Sequence, residues 1–107
     1  MTQDTLFKLL KDLRSGLSKL LGERLEAVIL YGSQACEDAQ PYSDVDILVV
    51  LRGDFSYFEM VERTSYLTAE LSLKYDTVIS TVFVTKENYE QMKTPLLINV
   101  HREGILV

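Results

Sequence analysis

The chain has 107 residues, enough for one packed core and too few for two, so residues 1–107 are expected to form a single domain. Sixteen acidic against 11 basic residues leave a formal charge of -5, the wrong sign for holding nucleic acid through its phosphates, and an apolar share of 47% excludes a disordered chain. No apolar run exceeds five residues, far short of the roughly 20 of a membrane span; the one cysteine, Cys36, has no internal partner, and Met1-Thr2-Gln3-Asp4 lacks the blocks of a signal peptide, which makes a cytoplasmic location the expectation.

From Leu6 onward leucines fall at positions 6, 9, 10, 13, 17, 20 and 21, the steps of three and four that line one face of a helix. Asp4 or Thr5 is placed to cap its start, and Gly22 follows its last turn. Ala27-Val28-Ile29-Leu30-Tyr31, stopped by Gly32, reads as a buried strand, and Val45 to Leu51 as a second. The polar stretch between them, Gly32 to Ser43, has the composition of a binding loop. After Asp54, the residues Phe58, Val61, Leu67 and Leu71 predict a helix reaching about Lys74. Asp76 to Val84 is rich in β-branched residues and predicts a third strand. Thr85 caps a short helix to about Met92, and Thr94-Pro95 opens a last one, with proline where a missing N–H is harmless; Gly104 ends it. The order helix, strand, loop, strand, helix, strand, helix, helix describes a compact α/β layer.

Chemistry concentrates where the first two strands meet their loop. In an extended strand alternate side chains share a face, so Asp44 and Asp46 are held side by side, with Cα atoms about 6.5 to 7 Å apart. Two like charges so placed call for a cation, and an all-oxygen pair suits Mg²⁺, which takes one or two carboxylates and completes its shell with water and phosphate. Gly32 allows close backbone approach, and Ser33 offers a hydroxyl and free N–H groups to a phosphate. Each half alone has a plain reading, Gly-Ser as a turn and Asp44 as a residue that opens a strand. Together, at successive strand ends, they point to a nucleoside triphosphate site.

Gly32-Ser33, with Ala35 two residues on, followed by Ser43-Asp44-Val45-Asp46, resembles the G-S-x-A and S-D-x-D signature of the DNA polymerase β-like nucleotidyltransferase superfamily. The small size and the ending Pro95-Leu96-Leu97-Ile98-Asn99-Val100-His101-Arg102-Glu103-Gly104 look like its minimal nucleotidyltransferase (MNT) branch. The resemblance implies an α/β (α+β) fold with a small mixed β-sheet flanked by helices, and two Mg²⁺ ions held by three carboxylates. Carried over, Asp44 and Asp46 are the first two metal ligands and Asp76 the third, with all three at the catalytic centre; Gly32 and Ser33 bind the donor's phosphates, and Ser43 orients the loop. Where relatives carry arginines after Gly-Ser, this chain has Gln34, Cys36 and Glu37, a change expected to weaken phosphate binding or to shift it toward Arg52, Lys74 or a partner's basic residues. Cys36 and the single His101 have no adjacent catalytic partner in sequence and read as a packing and a helix residue.

The activity implied is transfer of a nucleoside monophosphate from a triphosphate, usually ATP, to a hydroxyl. No second domain is present to hold the acceptor. In the MNT branch these proteins are antitoxins that pair with HEPN-domain toxins and adenylylate a toxin tyrosine, so the expectation is a protein adenylyltransferase in a hetero-oligomer, without direct nucleic-acid or membrane binding. Two alternatives stand beside it: a binding-only antitoxin of the same fold, and a small-molecule nucleotidyltransferase subunit.

Overall fold

The computed structural model describes residues 1–32, 35 and 44–107. Helix α1 (Gln3–Leu21) is capped by Thr2, whose hydroxyl accepts from the Thr5 N–H at 3.1 Å, two residues earlier than Asp4, the first cap expected. Its leucine stripe is the core stripe: Leu9, Leu13, Leu17 and Leu21 are all buried. Gly22 ends the helix at φ 57, as a left-handed terminator, and a short 3₁₀ turn (Gly22–Arg24) leads into β1 (Leu25–Tyr31).

Strands β1 and β2 (Val45–Leu51) run antiparallel, with Leu30 opposite Ile47 and Tyr31 opposite Asp46. Helix α2 (Tyr57–Tyr75) then carries the chain back to β3 (Ile79–Thr85), which pairs with β2 in parallel, as a helical crossover requires. After α3 (Lys86–Glu90) and α4 (Pro95–Glu103), a two-residue strand β4 (Ile105–Leu106) returns antiparallel to β1. The sheet is four-stranded and mixed, in the order β3-β2-β1-β4, with helices on both faces. This is the expected architecture, with one strand more than the sequence predicts: Ile105-Leu106 is too short to carry a strand pattern of its own.

Alternation within the strands separates two cores. Val45, Ile47, Val49 and Leu51 pack with Val28, Leu30 and Phe83 against α1 and α2, whereas Leu48 and Val50 pack with Ile29 against Leu97 and Val100 of α4. Helices α1 and α2 approach closely at Gly16, where a Cβ would lie 2.6 Å from a Leu67 methyl. Gly104 acts in the same way rather than as a left-handed cap. Its φ is -68, and a side chain there would crowd the Ile29 methyl at 2.7 Å.

Helix α2 departs from its predicted register. Its cap is Ser56, accepting from the Glu59 N–H at 3.3 Å, rather than Asp54. The buried stripe is Met60, Thr64 and Leu71, with Leu67 partly buried beside it, while Phe58 and Val61 are 72% and 42% exposed. A buried threonine hid that stripe from a purely apolar pattern; its hydroxyl is satisfied by donating to the Met60 carbonyl at 2.9 Å. The threonine caps of α3 and α4 stand as predicted, with Thr85 accepting from Asn88 N–H and Thr94 from Leu97 N–H, and Pro95 opening α4. No helix of the described residues is long and apolar enough to cross a membrane.

Candidate active site

The site forms where β1 ends and β2 begins. Tyr31 closes β1, and Gly32 turns the chain away at φ 75, a left-handed backbone that glycine adopts freely. A Cβ built at Gly32 would strike the Asp46 carboxylate, with the carboxyl carbon only 3.2 Å away. Glycine is thus needed twice at this position, once for the turn and once because the neighbouring strand fills the space with a carboxylate.

Asp46 sits one residue inside β2, half-buried, on the face shared with Leu48 and Val50. Burial raises its pKa above the ordinary aspartate value, and the charge of Asp44 raises it further. Asp44, just ahead of the strand, is exposed. Among the described residues neither carboxylate has a basic side chain paired with it. Two adjacent oxygen-donor groups, one partly desolvated and neither neutralised, fit a hard divalent cation such as Mg²⁺. Tyr31, opposite Asp46 in the register, shares this environment, and its phenol is pushed up by burial and then by Asp46.

Asp76 lies elsewhere than expected. It does not open β3; it follows the last turn of α2 as a left-handed cap (φ 51, ψ 54), its N–H donating to the Ser72 carbonyl. Aspartate tolerates this conformation because its short polar side chain can bond locally, and the helix runs on to it because its last turn is tied down. Tyr75 donates to Asp12 of α1 at 2.6 Å and Lys74 contacts the same oxygen at 3.2 Å. Asp76 is exposed and shares with Asp44 the lining of a cavity of about 670 Å³, which includes Met1, Ser72, Tyr75 and Val78. No group of three histidine, cysteine or acidic residues is gathered into a metal cluster among the described residues.

Ser33 and Ser43, expected to bind phosphate and orient the loop, lie outside the described residues, as do Gln34, Cys36 and Glu37. Arg52 and Lys74, considered as substitute phosphate-binding cations, are committed elsewhere. Arg52 lies at the opposite end of β2 from Asp46 and pairs with Glu26, also bonding the Glu23 carbonyl at 3.1 Å. Lys74 is held by Asp12. His101 stacks on Tyr89 at 4.1 Å between ring centres, away from the carboxylates in the α3–α4 corner.

Sequence reasoning missed Ser80. Parallel pairing sets it directly beside Asp46, and its strand neighbours Val82 and Val84 pack into the α4-side cluster, so Ser80 faces the same way as Asp46. Tyr31, Asp46 and Ser80 form one lateral row across three strands. Only the register reveals that row.

Comparisons with known proteins agree with the fold. Two proteins of Methanocaldococcus jannaschii to which protein adenylyltransferase activity is ascribed by name are similar in sequence. One is 28% identical over 102 residues, covering 95% of this chain and 98% of its own length; the other is 32% identical over 84 residues, covering 78% of each. Among solved structures, a toxin–antitoxin complex with AMP-PNP superposes with a TM-score of 0.60 at 20% identity, over 99% of this chain and 72% of that one. An MNT antitoxin complex with a tri-AMPylated HEPN toxin of Shewanella oneidensis gives 0.55 at 18% identity, over 99% and 71%. A nucleotidyltransferase of Sulfolobus solfataricus gives 0.56 at 18%, over 96% and 76%. The profile of the nucleotidyltransferase domain family matches residues 10–107, and with the glycine turn packed on the strand carboxylate it places this chain in that family.

Proposed function

We propose that this nucleotidyltransferase is the antitoxin of a toxin–antitoxin pair and moves AMP from ATP to a tyrosine hydroxyl of a HEPN-domain partner. The observation that carries the reading is the uncompensated Asp44–Asp46 pair, with Gly32 leaving room for the Asp46 carboxylate. Asp44 and Asp46 would hold Mg²⁺, which when bound offsets charge on the triphosphate and on the departing pyrophosphate. The names of the relatives point to a protein acceptor.

The two sides of the site differ in sign. On one side, Gly32 brings backbone within reach of a phosphate, with Ser33 next in sequence. On the other, the described lining of the cavity offers the carboxylates of Asp44 and Asp76 and the C-terminal end of α2, whose carbonyls carry partial negative charge. Phosphates belong on the first side and the acceptor hydroxyl on the second. The tyrosine oxygen would form a bond to the α-phosphorus as the bond to the bridging oxygen breaks and pyrophosphate leaves. Asp76, which lines the cavity together with Asp44, would take the phenolic proton. Ser43, adjoining Asp44 in sequence, would orient the loop.

Incubation with labelled ATP, Mg²⁺ and a HEPN-domain partner tests this. Label should appear on the partner and vanish with Asp44→Asn or Asp46→Asn. A stable complex without label transfer would instead identify a binding-only antitoxin, and label confined to a small molecule a metabolite-modifying subunit.

A further inference from the structure

Three carboxylates are needed to hold two divalent ions in the manner the sequence resemblance implies, and the structure shows what stands beside Asp46 on the neighbouring parallel strand. In a parallel pair, laterally adjacent residues point to the same side and their strands lie about 4.8 Å apart. The residue so placed beside Asp46 is Ser80. It is half-buried, on the face of Val82 and Val84, and its hydroxyl has no hydrogen-bond partner among the described residues. Asp76 stands four residues earlier, exposed, in a left-handed cap at the end of α2 and on the cavity side of Asp44. The α2 layer packs against the opposite face of the sheet from that of Asp46.

We propose that Ser80 occupies the position of the third ligand, so that this centre holds one divalent ion, bound by Asp44 and Asp46 together with the triphosphate, with Ser80 as a positioning residue that hydrogen-bonds a metal-bound water or the Asp46 carboxylate. The proposal rests on the metal-dependent transfer put forward above. A serine oxygen reaches less far from the backbone than a carboxylate and carries no charge, so it orients ligands rather than neutralising a second cation. Two carboxylates and substrate phosphates are a sufficient set for one Mg²⁺. Without a second ion to acidify it, the acceptor hydroxyl needs a protein base, the part given to Asp76.

The test counts Mn²⁺ bound to the full chain in the presence of a non-hydrolysable ATP analogue, by equilibrium dialysis with electron paramagnetic resonance. The wild type should bind one ion per chain and Ser80→Asp two. Ser80→Ala should weaken binding of the single ion by about 10-fold with an unchanged metal-free melting temperature, the scale on which groups that orient ligands act, and Ser80→Thr should keep it. Asp76→Asn should leave count and affinity unchanged. Two ions in the wild type, a loss on Asp76→Asn, or a folded Ser80→Asp that still binds one would overturn the assignment. Should Ser80→Asp fail to melt cooperatively, the Ala and Thr pair decides: equal affinity in both overturns it. One bound ion without label transfer to any partner leaves this proposal standing and removes the adenylyltransferase reading; no bound ion at all removes both.

Discussion

Replacing Asp46 by asparagine should make the metal-free protein more stable while abolishing its activity. Like charges about 7 Å apart repel by about 2.4 kcal/mol at an effective dielectric of 20 and about 0.6 kcal/mol in bulk water. Asp44 is exposed and Asp46 half-buried, which sets the repulsion toward the lower end; with the desolvation that dominates at Asp46, relief of about 1 kcal/mol is expected. For a domain of this size that corresponds to a rise of roughly 4 to 8 °C in melting temperature. The pH dependence follows from the sign of the shift. A carboxyl whose folded pKa is raised contributes stability that is fully present below its unfolded value, about 3.9, and is lost as pH rises through the higher folded value. Melting curves of wild type and Asp46→Asn at low salt should therefore converge near pH 3.5 and separate toward pH 7, the variant being the more stable. Mg²⁺ with nucleotide should close the gap from the wild-type side, since only the wild type gains binding free energy. A variant that melts at or below the wild type at pH 7, or by a margin independent of pH, would refute the picture of an uncompensated carboxylate pair.

Gly32→Ala should lose transferase activity altogether and destabilise by about 1 to 2 kcal/mol, because the new methyl group meets the Asp46 carboxylate and the backbone is left-handed; denaturant unfolding and the label assay measure the two effects separately. Leu13→Ala, in the centre of the α1 stripe, should lower stability by about 2 to 5 kcal/mol in urea melts. Asp12→Asn should cost less than about 1 kcal/mol, since the site is partly open to solvent. The Tyr75 and Lys74 bonds lower the Asp12 pKa, so its contribution is present above the unfolded aspartate value and lost as pH falls through the folded one, and the difference from wild type should shrink in acid.

What the sequence makes legible is local and periodic. The α1 stripe, the two buried strands, the threonine caps and the paired aspartates all announce themselves within a few residues. What it hides is set by contacts between distant segments. Thr64 lies on the buried stripe of α2 only because its hydroxyl can bond one turn back, so an apolar count passes over it and selects Phe58 and Val61 instead. Asp76 resembles a residue that opens a strand; with Tyr75 and Lys74 gripping Asp12, the helix runs to Tyr75 and makes Asp76 its cap. Ser80 gains its place from parallel pairing with a strand more than thirty positions earlier, and no pattern within its own strand distinguishes it from a half-buried filler.

The close fit of Gly32 against Asp46 also bears on how such a site decays over generations. Most sites erode by degrees, as substitutions loosen a ligand or widen a pocket. Here the first substitution at the turn would thrust a methyl group into the carboxylate, so function would end in one step while the chain still folded. A lineage that no longer needed the chemistry could keep the fold as a binding protein, and the residue at this turn would record the change.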